Sequence, residues 1–145
     1  MGRQRQTARA SMIVADTSLI ASLLLSTPAT AAAEAVLGRD QDWTAPDLWR
    51  YELKNVLATQ VRQLGLPLDH AVALFDKAAE LILPPEIEVA PDTILRLAHS
   101  MKLSAYDSEF LALALALGIK LVTLDGGILK AAPMAAVSPE IFGIR

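Results

Sequence analysis

Residues 12–16 read Met-Ile-Val-Ala-Asp, four apolar residues followed directly by an acid. A short apolar run between polar neighbours predicts a strand that is buried on both faces of a sheet. A similar pattern returns at residues 121–125, which read Leu-Val-Thr-Leu-Asp, within a strand that we predict from Lys120 to Leu124. Two buried strands that are each followed by an aspartate therefore set the framework of the fold.

Helical segments separate these strands from further short strands. Apolar residues near Ile20, near Leu24 and over Ala31–Leu37 indicate helix after the first strand. The other predicted strands are Trp43–Ala45, Glu86–Val89 and one near Ala136–Val137. Helices are predicted from a cap at Asp47 to Gly65 and Pro67, from a cap at Asp69 through Glu80, from Asp92 to about Met101, from Ser104 to Leu117 before Gly118, and briefly before the last strand.

Alternating strands and helices imply right-handed crossovers and a mostly parallel sheet that is covered on both faces. We therefore predict a doubly wound α/β domain. Ligands of such sheets bind outside the carboxyl ends of the strands, where the strand order reverses. Asp16 and Asp125 should both emerge at that edge, and if their strands are neighbours, about 5 Å apart, the two carboxylates can share one ion.

Composition fits one folded domain over residues 12–145, preceded at 1–11 by a polar N-terminal arm or a non-native extension. Hydrophobic residues make up 53% of the 145 residues and charged residues 20%, which leaves apolar surface for a subunit interface. The net charge of −3 provides no broad positive field for nucleic acid. The absence of cysteine excludes disulfides, thiolate zinc sites and cysteine nucleophiles, and it fits a reducing compartment such as the cytoplasm.

The N-terminal region imitates a secretory signal, because Arg3, Arg5 and Arg9 precede the apolar stretch Leu19–Leu25. Asp16 interrupts the apolar run, which leaves it too short to span a bilayer. We therefore interpret this region as a strand and a helix, and we expect no membrane association.

Two further acids lie near predicted helix starts. Glu52 shares a polar stripe with Asn55 and Thr59, and the alternative for Glu52 is an ordinary solvated helix face. Asp107 ends the run Ser-Ala-Tyr-Asp at residues 104–107, which fits a capping box, so helix-start energetics alone could explain it. Both roles of Asp107 are compatible. Glu109 could lie at the rim of a site or be solvated, and its spacing from Asp107 favours solvation.

Carboxylates held close together without a cation repel each other and raise each other's pKa, whereas a divalent cation turns the same group into a binding site. Hard oxygen ligands suit Mg²⁺ or Mn²⁺, and the lack of cysteine and of paired histidines disfavours zinc. His70 and His99 fall within helical patterns and are expected to be surface or packing residues. Substrate contacts are not defined, because cations such as Arg50 and Lys54 are scattered and aromatic residues total 5%, with no evident stacking platform.

Four segments resemble the PIN-domain family, and within it the VapC-type toxins of bacterial toxin–antitoxin pairs. The resemblance runs from about Met12 to Val137. Each motif is weak by itself, and their order, spacing and placement on strand, helix, helix start and strand make the match specific. The segments are Ile-Val-Ala-Asp-Thr-Ser at 13–18, Pro46 with Tyr-Glu-Leu-Lys-Asn-Val-Leu at 51–57, Leu-Ser-Ala-Tyr-Asp-Ser at 103–108 running into Leu-Ala-Leu-Ala at 111–114, and Leu-Val-Thr-Leu-Asp at 121–125.

The resemblance implies a three-layer α/β/α fold with a parallel sheet of four or five strands in the order 3-2-1-4-5. It implies an endoribonuclease that hydrolyses phosphodiester bonds with Mg²⁺, for which Mn²⁺ could substitute. The catalytic and metal-binding acids would be Asp16, Glu52, Asp107 and Asp125, with Ser18 in a supporting position. We add Asn55, on the polar stripe of Glu52, as a second supporting residue. It also implies an RNA substrate, a small VapB-type antitoxin and a homodimer.

Three alternatives remain at this stage. A phosphoacceptor receiver module expects an acidic pair near the end of the first strand and a lysine after the last, and this chain has one acid at Asp16 and ends its last strand near Ser138. A haloacid-dehalogenase-like phosphatase expects an aspartate where Ser18 stands. A catalytically inactive PIN-like binding protein is the third, which the presence of all four acids argues against.

Overall fold

The computed structural model describes residues 12–144, which form helical layers around one five-stranded sheet. All strand pairs are parallel, and the strand order is β3-β2-β1-β4-β5. The strands are β1 (Met12–Ala15), β2 (Asp42–Thr44), β3 (Ile82–Leu83), β4 (Leu121–Val122) and β5 (Ala136–Val137). The helices are α1 (Thr17–Leu24), α2 (Thr30–Arg39), α3 (Leu48–Leu64), α4 (Leu68–Leu81), α5 (Pro91–Met101), α6 (Ala105–Leu117), α7 (Gly126–Ala131) and α8 (Pro139–Gly143).

The α/β/α class and the strand order agree with the predictions. β1 lies at the centre of the sheet, where Ile13 pairs with Trp43 of β2 and Ala15 pairs with Val122 of β4. The chain builds outward from β1 to β3 on one side and from β4 to β5 on the other, so the strand order reverses between β1 and β4. The carboxyl ends of these two strands adjoin, and this is where such sheets bind ligands.

Buried side chains of the helices pack in the core of the domain. Helix α6 is buried along most of its length, because Phe110 and the four residues after it are almost wholly inaccessible. On the neighbouring helices, Trp49 is buried and its ring stacks on Phe75 with centroids 5.6 Å apart. Aromatic side chains bury more apolar area than other residues and so fix the packing of α3 on α4.

The third strand was predicted at Glu86–Val89, and that prediction is wrong. The strand lies earlier, at Ile82–Leu83, and pairs with Trp43 and Thr44 of β2. Pro84 and Pro85 follow it at once, and proline has no backbone N–H to donate to a strand partner, so pairing ends there. Residues 86–89 form no strand, and the alternation of glutamate with apolar residues there indicated one wrongly.

Other boundaries shift by one to three residues. β2 covers Asp42–Thr44 instead of Trp43–Ala45, and β4 is limited to Leu121–Val122 within the predicted Lys120–Leu124. Helix α4 begins after Pro67, so Asp69 lies in its first turn and does not cap it. Helix α5 likewise begins at Pro91, one residue before Asp92, because proline suits the first helical position.

The apolar segment after Asp16 forms helix α1 as predicted, with Leu19 and Ile20 fully buried. Within residues 12–144 no helix combines the length and apolar character needed to cross a bilayer. The arm expected at residues 1–11 lies outside the described residues.

Candidate active site

Four acids approach the carboxyl edge of the sheet from different elements. Asp16 follows β1 directly and Asp125 lies three residues after Val122 of β4, while Glu52 lies one turn inside α3 and Asp107 lies in the first turn of α6. Their electrostatic coupling shows that they are neighbours. The charge of Asp16 raises the pKa of both Glu52 and Asp107, and the charge of Asp125 raises the pKa of Asp107 further.

Asp16 is held from two sides. Its side chain is buried, with 8% of the residue exposed, and its Oδ2 accepts hydrogen bonds from the Ser18 hydroxyl at 2.8 Å and the Thr123 hydroxyl at 2.6 Å. Both hydroxyls donate to Oδ2, and no described residue donates a hydrogen bond to Oδ1. The carboxylate is therefore fixed in one orientation with one oxygen available to a ligand.

The same two hydroxyls join the start of α1 to the loop after β4. Ser18 Oγ accepts the backbone N–H of Leu124 at 3.2 Å, and Thr123 Oγ1 accepts the N–H of Asp125 at 3.0 Å. Ser18 was predicted as a supporting residue, whereas Thr123 was missed. The available signal was a hydroxyl residue inside an otherwise apolar buried strand, since buried polar groups require hydrogen-bond partners.

Glu52 faces this group of acids. It is half-buried, and its Oε1 accepts the Thr17 hydroxyl at 2.7 Å. Burial is the largest cause of its raised pKa, the Thr17 hydrogen bond lowers the pKa, and the charges of Asp16 and Asp107 raise it again. Asn55, predicted to support the site, is exposed, and no hydrogen bond within residues 12–144 joins its side chain to the acids.

The two remaining acids differ in how they relate to helix starts. The backbone N–H of Asp107 donates to the Ser104 hydroxyl at 3.0 Å, so Ser104 caps α6 as predicted. Burial first, then the charges of Asp125 and Asp16, raise the pKa of Asp107. Asp125 was expected to be a simple strand-end acid, but it caps α7: its Oδ1 accepts the N–H groups of Gly127 at 2.7 Å and Ile128 at 3.1 Å. The acid whose carboxylate caps a helix is therefore Asp125, a role that the sequence indicated for Asp107.

The donor chemistry of these acids fits a hard divalent cation, since all four supply carboxylate oxygens. In the described part of the chain no lysine or arginine forms an ion pair with any of these four acids. Arg96 does form one, with Asp92 on α5. In the same part of the chain, no three acid or histidine side chains stand close enough to form a ready-made metal cluster. The charges of neighbouring acids raise the pKa of Glu52 and of Asp107, so these carboxylates repel one another when no cation is bound.

Residues 13–133 match the family model of the PIN domain. The chain belongs to the PIN-domain family. Membership of this family excludes the receiver-module and phosphatase alternatives. Over 132 residues the chain is 31% identical to Ribonuclease VapC3 from Pyrobaculum aerophilum, a match that covers 88% of this chain and 98% of that protein.

Solved structures of similar proteins share the PIN fold described above. The crystal structure of PAE2754 from Pyrobaculum aerophilum matches with a TM-score of 0.71 and 26% identity, covering 92% of this chain and 95% of the other. The structure of FitAcB from Neisseria gonorrhoeae matches with a TM-score of 0.54 and 25% identity, covering 88% and 98%. This PIN domain therefore spans nearly the full length of the relatives it resembles.

Proposed function

We propose that this PIN-domain protein is an endoribonuclease that depends on Mg²⁺ or Mn²⁺. The observation that carries the proposal is the placement of Asp16, a buried carboxylate fixed by Ser18 and Thr123 at the point where the strand order reverses. Asp107 and Glu52 couple to it electrostatically. The relative named Ribonuclease VapC3, at 31% identity, supports RNA as the substrate.

In this proposal Asp16 and Asp107 are the direct metal ligands, Asp125 is the next, and Glu52 binds metal or positions water. A bound divalent cation supplies an activated water and neutralises the charge that develops on the phosphate. The chain's own hydroxyls prepare the site: Ser18 and Thr123 orient Asp16, and Thr17 orients Glu52. No protein nucleophile is needed, which agrees with a site that is built from carboxylates and hydroxyls.

The biological role that fits this activity is the toxin of a toxin–antitoxin pair. The VapC-type motifs of the sequence and the VapC3 designation of its relative support it. A small VapB-type antitoxin would then cover the acidic site. Exposed apolar side chains on the helices, among them Leu64 and Leu68, leave surface for a homodimer.

The proposal is tested with purified protein and a structured RNA in the presence and absence of Mg²⁺ or Mn²⁺. We expect cleavage with either metal ion, none in EDTA, and none by Asp16→Asn, which keeps the shape of the side chain but removes its charge. Asp69→Asn is the matched control, because Asp69 is an exposed acid in the first turn of α4. Undiminished cleavage by Asp16→Asn would rule out the assignment.

A further inference from the structure

Helices α3, α5 and α6 each end on a residue in the left-handed backbone region. Two of these residues are glycines, Gly65 after α3 with a φ of 74° and Gly118 after α6 with a φ of 69°. The third is Lys102 after α5, with a φ of 58° and a ψ of 41°. Within residues 12–144 no other residue with a side chain has a positive φ. Glycine is favoured at such helix ends, because a Cβ atom crowds the following carbonyl oxygen.

The turn at the end of α5 is required by the fold, but a lysine in it is not. The backbone N–H groups of Lys102 and Leu103 both donate to the carbonyl of Ala98, which closes the end of the helix. Leu103 then packs against the core and leads directly to Ser104, the cap of α6. Glycine would form the same turn with less strain, so the lysine side chain calls for a function of its own.

Lys102 lies at the edge of the sheet where the four acids meet. It precedes Asp107 by five residues, and Asp107 lies in the first turn of α6. The charges of Asp16 and Asp125 act on Asp107, so the start of α6 lies beside the ends of β1 and β4. The Lys102 side chain is exposed at this start and is available to a ligand that covers the acids.

The ammonium of Lys102 is not engaged by the protein. Among residues 12–144 it has no hydrogen bond, ion pair or ring contact. Other cations on α5 and α3 differ, because Arg96 pairs with Asp92 and the Lys54 ammonium lies 4.6 Å from the centre of the Tyr51 ring. A cation also interacts favourably with the end of a helix dipole, but it can do so from any position in the last turn. The dipole therefore does not explain a lysine at the left-handed position.

A phosphate group is the ligand that this cation fits. The ammonium of lysine is a compact point charge, which suits phosphate oxygens. The four carboxylates of the site repel the phosphates of RNA, and the net charge of −3 gives no broad field to offset this repulsion. A strand that reaches the acids therefore needs a local cation, and contacts to phosphates are those that set the position of a nucleic acid on a protein.

We propose that Lys102 binds an RNA phosphate next to the scissile one and so positions the strand across the four acids. The proposal rests on the ribonuclease function proposed above and names a residue that holds the substrate of the same site. Lys102 takes no part in the hydrolysis itself.

The first test compares the cleavage kinetics of three variants. One contact to a single strand accounts for about fivefold in affinity per tenfold change in salt. Lys102→Gln should therefore raise KM about fivefold at about 0.1 M salt, with a smaller change in kcat, and Lys102→Arg should retain the wild-type KM. Lys77→Gln is the control for the lost charge, because Lys77 is an exposed lysine of α4 near the opposite, amino end of β3. An unchanged KM in Lys102→Gln would overturn the proposal, as would an equal rise in Lys77→Gln.

Lys102→Gly separates substrate binding from a structural role. It removes the ammonium and also the strain, so it should melt no lower than the wild type while its KM rises as in Lys102→Gln. A lower melting temperature with an unchanged KM would show that Lys102 acts on the fold alone.

The last test needs no cleavage, so it separates this proposal from the ribonuclease function. Binding of a short single-stranded RNA to Asp16→Asn is measured by fluorescence anisotropy over a range of salt concentrations. Adding Lys102→Gln should reduce the slope of log affinity against log salt by about 0.7, whereas adding Lys77→Gln should leave it unchanged. Equal slopes with and without Lys102→Gln would contradict the contact. A reduced slope in a protein whose wild type cleaves no RNA would support the contact and rule out the ribonuclease.

Discussion

The hydroxyl of Thr123 donates a 2.6 Å hydrogen bond to Oδ2 of Asp16, joining residues that are 107 positions apart in the chain. Both side chains are buried, and Thr123 is completely inaccessible. The bond ties the loop after β4 to the end of β1. It thereby fixes the acid on which the proposed metal site depends.

Replacing Thr123 with valine should affect both stability and metal binding. The change leaves Oδ2 of Asp16 and the N–H of Asp125 short of a partner, which should lower the free energy of unfolding by about 1–3 kcal/mol. Loss of an outer partner of a metal ligand typically weakens metal affinity about 10- to 100-fold. Urea denaturation and Mn²⁺ titration measure the two effects.

Thr44→Val is the matched control for that experiment. Thr44 is equally buried, and its hydroxyl donates to the carbonyl of Leu83, away from the acids. It should lose comparable stability with unchanged Mn²⁺ affinity. Equal loss of affinity in both variants would show that Thr123 acts only through general stability.

The two roles of Asp125 can be separated by substitution. Asp125→Ala removes the cap of α7 and should cost about 0.5–2 kcal/mol of stability, whereas Asp125→Ser keeps a capping oxygen and should retain most of it. Both variants lose the carboxylate, so both should lose cleavage. Thermal unfolding and a cleavage assay check this, and full activity in Asp125→Ser would show that Asp125 is a structural cap alone.

The Thr17 hydrogen bond should set the acid limit of activity through Glu52. That bond lowers the pKa of Glu52 against the effects of burial and neighbouring charge, so Thr17→Val should raise the pKa. If Glu52 works as a carboxylate, the acid limb of the pH–rate profile then moves to higher pH. Ser22→Ala is the control, because Ser22 is a buried hydroxyl on the same helix that donates to the carbonyl of Ser18. An unmoved acid limb in Thr17→Val would contradict the role of Glu52.

The metal-free protein should be stabilised by removing one of its own site acids. The pKa of Asp107 is raised in the folded state. Between the ordinary carboxyl pKa and this raised pKa, the folded protein keeps a proton that the unfolded chain has released. Stability is therefore greatest below the ordinary carboxyl pKa and falls as pH rises through the raised value. Asp107→Asn should increase the melting temperature at pH 7 in EDTA, with no gain below about pH 3.8.

Saturating Mg²⁺ should reverse the order in the same melting experiment. A cation that binds only the folded wild type stabilises it by mass action, and the variant has lost a ligand. A wild type that melts above Asp107→Asn in EDTA at pH 7 would contradict the repulsion on which the site's electrostatics depend.

The sequence predicts those parts of the fold that depend on local patterns. Residues Met12–Ala15 are all apolar, which predicts a strand that is buried on both faces. Ser104 caps the start of α6 and Gly118 ends the helix, as capping chemistry requires. β3 could not be placed, because a two-residue edge strand has too little pattern and is defined by its pairing with β2. The glutamates at positions 86 and 88 gave the nearby loop a false alternation.

For the site, the sequence indicates the acids and Ser18 but not the two threonines that hold the acids in place. Strand ends and helix starts mark where Asp16 and Asp107 lie, whereas Thr17 and Thr123 act through contacts between distant segments. Local rules therefore locate the charged groups, and tertiary contacts decide how they are oriented.

The strand order has a consequence for the cell that makes the protein. Since β1 lies beside β4, the loops that present Asp16 and Asp125 meet only after most of the chain has been synthesised. Translation adds about 5–20 residues each second, and long-range parallel pairing forms slowly. The proposed site therefore cannot assemble on a nascent chain until β4 has been synthesised, and its acids stay apart during most of translation.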